Sequence, residues 1–150
     1  MRRILVYVLI TAAVLALPLE RTDVADLRPV QTVVLYKSQE GYRIETDTED
    51  VGIGKTVDEA YTDLIDTTPG VIYLDTADFF LVSEGAETAA EDMRKYLKSG
   101  VQICAVAGQG NWKEVSKYLS VQTELVPFRK WKAGQKLPVL DCRTDRIKFM

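Results

Sequence analysis

The chain contains no histidine in 150 residues. Ser-His and Cys-His nucleophilic catalysis are therefore excluded, and zinc is left without its commonest nitrogen ligand. Cysteine is almost as scarce, with Cys104 and Cys142 the only two. Each lies in an apolar segment of strand character, where cysteine behaves as a small hydrophobe. Two buried thiols are expected, and a bridge in an oxidising compartment stays open. No internal repeat is present, and the composition is that of an ordinary globular chain.

Charge is missing altogether from Ile4 to Leu17, and Arg2 and Arg3 precede that run. A cationic start followed by a short apolar stretch, with Val14-Leu15-Ala16 as a small-residue cleavage site, has the pattern of a secretory signal. At about 1.5 Å per residue the run reaches roughly 21 Å, short of the ~30 Å hydrocarbon layer. The expectation is export, with residues 1–17 as signal peptide or N-terminal membrane anchor, 18–29 as a polar linker and 30–150 as one domain. An extracytoplasmic, membrane-associated protein has no supply of ATP, NAD or reducing thiols, so no cofactor is expected.

Positive charge is in slight deficit, with 19 Lys and Arg against 22 Asp and Glu. Without Arg2 and Arg3 the balance is 17 to 22, a net charge of −5. The charges are unevenly placed. Residues 45–66 carry eight acids against Lys55 alone, whereas residues 129–150 carry seven cations against Asp141 and Asp145. The basic third can serve an anionic surface or an acidic partner, or can simply be a solvated face. Nucleic acid fits an acidic, exported chain poorly. Within the basic third, Phe128-Arg129-Lys130-Trp131-Lys132 interleaves aromatics with cations. Arg129, Lys130, Trp131 and Lys132 are the candidate binding residues, suited to a membrane interface, with an ordinary loop anchored by one tryptophan as the plainer reading.

Hydrophobic periodicity predicts a strand over Val30–Lys37, a turn at Ser38–Gly41 and an antiparallel strand over Tyr42–Thr48. Thr56-Val-Asp-Glu59 fits a capping box, opening a helix with Val57, Ala60, Tyr61, Leu64 and Ile65 inward. Short strands follow at Val71–Leu74 and Phe79–Val82. A helix capped by Ser83 then turns Ala86, Ala89, Ala90, Met93 and Leu97 inward. Val101–Ala107 has the near-continuous apolarity of a strand buried on both faces. Asn111 and Glu114 begin a helix through Leu119, and Leu137–Cys142 with Arg146–Met150 close as a hairpin. This order predicts an α/β fold, a mixed β-sheet with helices on its faces in a single compact domain.

Three motifs invite chemistry. Val51-Gly-Ile-Gly-Lys-Thr56 resembles a phosphate loop but has Glu49 where the leading glycine belongs, with three acids facing any polyphosphate. The plainer reading makes Gly52 and Gly54 loop residues and leaves Lys55 solvated. Asp47, Glu49, Gly52 and Asp58 loosely follow a calcium loop, yet Val51 stands at a ligand position. Asp75 and Asp78, with Glu84, offer carboxylates for a hydrolase or a small-ligand site if they converge; Asp75-Thr-Ala-Asp78 is otherwise a polar turn.

Gly54-Lys-Thr-Val-Asp-Glu-Ala-Tyr-Thr-Asp-Leu64, Val71-Ile-Tyr-Leu74, Phe79-Phe-Leu-Val-Ser-Glu84 and the alanine-bearing stretch after it resemble the N-terminal domain of the Ger(x)C spore germination proteins. The likeness covers Gly54 to Ala107. It implies a non-enzymatic, extracytoplasmic accessory subunit of a nutrient germinant receptor in a spore-forming Gram-positive bacterium, binding membrane protein subunits. Two departures stand out: no lipid-attachable cysteine follows the apolar run, and the chain carries one domain where the family carries further ones.

Overall fold

Ten strands and two α-helices organise the computed structural model, which describes residues 27–150 apart from Glu124 and Asp145. The expected export segment and residues 18–26 lie outside the described residues. The strands are β1 (Leu27–Pro29), β2 (Thr32–Ser38), β3 (Gly41–Thr46), β4 (Val51–Gly54), β5 (Val71–Tyr73), β6 (Phe79–Ser83), β7 (Gln102–Ala107), β8 (Val126–Pro127), β9 (Val139–Asp141) and β10 (Lys148–Phe149). The helices are α1 (Val57–Thr67) and α2 (Trp112–Leu119).

The centre of the fold is parallel: β2, β6, β7 and β9 lie side by side. Their apolar runs fill two cores by simple alternation. Val33, Leu35, Phe80, Val82 and Ile103 face one side, whereas Val34, Leu81, Cys104, Val106 and Leu140 face the other. β3, β4, β8 and β10 add antiparallel neighbours. The order is β10-β9-β7-β6-β2-β3-β4, with β8 also beside β7. The first face is covered by α1 and residues 86–97, the second by Trp112, Val115 and Leu119 of α2. A mixed sheet with helices on both faces is the fold that the periodicity predicts.

Thr56 caps α1 as expected: its hydroxyl accepts from Glu59 N–H at 3.2 Å, and Glu59 reaches back to Lys55 N–H at 2.8 Å. The buried stripe of α1 is Val57, Ala60 and Leu64; Tyr61 is half-buried and Ile65 lies outside the stripe, 44% exposed. Gly52 and Gly54 are not loop residues. They belong to β4, whose backbone lies directly against α1, and a Cβ on Gly52 would sit 2.1 Å from the Ala60 carbonyl oxygen. The outer edge of β4 is also occupied, since Ile53 N–H donates to Asp63 at 2.8 Å and Thr67 donates to Val51 O at 3.4 Å. An edge bonded in this way offers little template for a second chain.

Two further expectations change. β1 pairs in parallel with β5 as a separate two-stranded sheet, so the fold begins by Leu27 and takes in the last residues of the expected linker. Residues 86–97 bury Ala86, Ala89, Ala90, Met93 and Leu97 as predicted but form turns and a 3-10 helix at Ala90–Lys95. Gly85 starts the segment at φ 82°, and Ser83 remains in β6, where its hydroxyl accepts from Lys37 N–H rather than capping a helix. The two thiols are buried and free, as expected. The β7–β9 register pairs Ala107 with Asp141, placing Cys142 four residues beyond Cys104 along the parallel pair. That is roughly 13 Å, about twice the Cα separation a disulfide tolerates.

Candidate interaction surface

After β8 the chain makes one 3-10 turn, Phe128–Lys130, and then extends through Trp131. Three residues per turn place positions 128 and 131 on one side. Phe128 and Trp131 are accordingly 3% and 1% exposed, whereas Arg129, Lys130, Lys132 and Lys136 all project into solvent. Trp131 thus leaves the candidate binding set. Its ring is core, packed near Phe128, and its indole N–H donates to Gln135 O at 3.0 Å. The aromatics anchor the segment and the cations are what it presents.

The segment is held from beneath by Arg94. Its guanidinium donates to the carbonyls of Phe128 (2.8 Å) and Trp131, pairs with Glu91, and lies 4.3 Å from the centroid of the Phe128 ring. Glu91 in turn accepts from Ala133 N–H at 3.1 Å. The bond to Arg94 holds the Glu91 carboxyl below its ordinary range, and Glu91 raises Arg94, so both partners stay ionised. Gln135 completes the loop, accepting from Lys132 N–H and donating its own N–H back to Lys132 O, each at 3.0 Å. Gly134, at φ 92°, makes the turn. Among the described residues, none of the four cations is paired with a carboxylate. The arrangement is a rigid knuckle with four cations on its outer side. Arg94 and Lys136 were not among the sequence candidates; Lys136 was visible as a charge, but nothing local marks Arg94 as the clamp.

The other charges divide differently from their linear order. Arg143 is engaged with Asp141 at 2.9 Å and is absent from the knuckle. In the acidic stretch, Asp50 pairs with Arg28 at 2.7 Å and Glu45 with Arg43 at 2.6 Å. Asp58 pairs with Lys95 at 2.6 Å, and the bond to Lys95 holds its carboxyl below the usual range. Glu45 also accepts the Trp112 indole N–H at 2.7 Å, so it fastens α2 to the sheet. Three of the eight acids of the front, Glu45, Asp50 and Asp58, are thus paired with cations.

The remaining candidates are dispersed. Asp47 accepts from Gln31 and Thr32 N–H while Asp58 bonds Tyr96 elsewhere, so no calcium loop forms, and no cluster of three metal-ligating residues occurs among the described residues. Lys55 is exposed beside the Thr56 cap. Burial, and secondarily the charge of Asp75, raises the Tyr61 hydroxyl pKa, whereas Asp78 is tied to Lys98 at 2.9 Å. Glu84 lies beyond the far end of β6 from Asp78, about 17 Å of strand away. The three carboxylates do not converge. Among the described residues, no helix is long and apolar enough to cross a membrane. No family model matches the chain, and no curated protein or solved structure matches it either.

Proposed function

We propose that the chain is a non-enzymatic interaction module that works at the outer face of a membrane, using Arg129, Lys130 and Lys132, with Lys136, as its contact. The carrying observation is the knuckle itself: four exposed cations, unpaired among the described residues, on a loop whose backbone is fixed by Arg94 and Gln135. A preorganised loop loses little conformational entropy on docking. Each basic side chain near an anionic membrane contributes about 1 kcal/mol, so the set supplies roughly 3–4 kcal/mol. The net negative charge does not oppose this strongly, because charges more than ~8 Å away are screened at physiological salt. The apolar start of the chain supports a location at the membrane. The Ger(x)C resemblance of Gly54–Ala107 supports the role of accessory subunit to a germinant receptor.

The test reverses Arg129, Lys130 and Lys132 to Glu in the full-length chain. Wild type and variant are compared on the same vesicles of anionic and of neutral lipid, so that any contribution of residues 1–17 cancels. The variant is expected to bind anionic vesicles at least 100-fold more weakly at low salt, with an unchanged melting temperature. The wild-type advantage should shrink as salt rises. Equal binding by the two proteins, without salt dependence, would show the knuckle to be a solvated face.

A further inference from the structure

A recess lies where the parallel strands begin, on the sheet face covered by α2, whereas Phe128 and Trp131 of the knuckle pack on the other face. It is an open cleft of about 430 Å³, within the ~300–1,000 Å³ common for small-molecule sites. Its floor follows from register: Phe79 of β6 sits between Thr32 of β2 and Gln102 of β7. The last turn of α2 and the residues after it, including Lys117 and Gln122, form one wall; Gln31 and Asp78 form the rim. Main-chain bonds stitch the row together. Gln31 O accepts from Asp78 N–H at 2.9 Å and Phe79 N–H at 3.0 Å, and Asp78 O accepts from Gln102 N–H at 2.8 Å. The Thr32 and Ser116 hydroxyls, 2.5 Å apart and both buried, fix α2 beside it.

The lining chemistry selects a ligand. Gln31 and Gln102 both line the cleft, and among the described residues their side-chain amides bond to no protein group, so each has a donor and an acceptor free for a ligand. The Asp78 carboxylate is neutralised by Lys98. Lys117 is the one cation in the lining, and a lone lysine in the last turn of a helix is a poor anion cradle compared with a helix start or a paired guanidinium. Hydroxyl-rich molecules match paired donors and acceptors, and the half-buried Phe79 ring suits the C–H face of a sugar ring. We infer that this cleft binds a small neutral saccharide through Gln31, Gln102 and Phe79. The site shares no lining residue with the basic knuckle.

The test is amide-resolved NMR of the full-length chain in a detergent without a sugar headgroup, titrated separately with glucose, N-acetylglucosamine and inorganic phosphate. The expected result is saturable movement of the Gln31 and Gln102 side-chain amide signals with a sugar, at about millimolar affinity. Gln102→Ala and Gln31→Ala, both away from the core, are each expected to weaken that binding about tenfold while the backbone spectrum stays folded. The knuckle reversal should leave it unchanged. The inference is overturned if neither sugar produces saturable shifts, if phosphate alone does, or if both glutamine variants bind as tightly as wild type.

Discussion

Arg94 shows how much one side chain can organise. It bridges two carbonyls of the knuckle, an acid and an aromatic face, which only a planar fork of donors can do at once. Arg94→Ala is expected to destabilise the fold by about 2 kcal/mol, in the range for hydrogen bonds to a charged group. Arg94→Lys should recover little of it, since an ammonium keeps the charge but not the geometry. Urea unfolding measures both, and an unchanged midpoint in the alanine variant would remove Arg94 from its role as clamp. At this scale the sequence was informative about charge and silent about direction. Phe128-Arg-Lys-Trp-Lys132 shows which residues are cationic, but only the 3-10 turn decides that Trp131 goes inward. The cysteines illustrate the converse: apolar context alone marked them as buried. Burial pushes the Cys104 thiol up to about 12, which keeps it protonated and inert.

Among the elements, β4 and α1 are matched through glycines whose value is space. Gly52→Ala and Gly54→Ala place a methyl 2.1 and 2.3 Å from the backbone of Ala60, so each is expected to cost about 1–3 kcal/mol. Gly100→Ala is the control. Nothing lies within 4 Å of its added Cβ, and its effect should stay within about 1 kcal/mol. Thermal melts of the three variants test the contrast, and equal behaviour would mean that α1 moves freely off the strand. Elements stabilised by near neighbours were legible: the β2–β3 hairpin and the caps at Thr56 and Asn111 are local chemistry. β1 and β8 were not, because two or three residues become a strand only through partners distant in sequence, and β4, although it pairs with neighbouring β3, was hidden by its two glycines. Gly-Ile-Gly in particular looks like a loop until α1 is laid over it. Residues 86–97 were read with the right inward face and the wrong helix, since alanine and methionine at spacings of three and four suit both windings.

For the whole molecule, the missing histidine becomes a statement about pH. No side chain of ordinary pKa titrates between about pH 5.5 and 8, so the melting temperature should be flat across that interval. On the acid side the carboxyls of Asp58, Glu91 and Asp141 are held below their ordinary values, chiefly by hydrogen bonds from Lys95, Arg94 and Arg143. A lowered folded pKa means stability that is present above the unfolded value near 4 and is lost as pH falls through the folded one. The decline should therefore begin below about pH 4.5 and be shallow, because the Asp58–Lys95 pair is exposed and the Glu91 and Asp141 pairs each keep their arginine partly in solvent. A pH series of melts showing a step between pH 6 and 8 would contradict this.

The small β1–β5 sheet also fixes a length. By pairing Leu27 with Val71, it fixes where residue 27 sits in the domain. Ten peptide steps separate Leu17 from Leu27, a leash of at most about 35 Å. If the apolar start is held in a bilayer, the knuckle is never farther from that surface than this leash plus the width of the domain. Even a contact too weak to form between free molecules would then be made intramolecularly, at a local concentration on the order of millimolar.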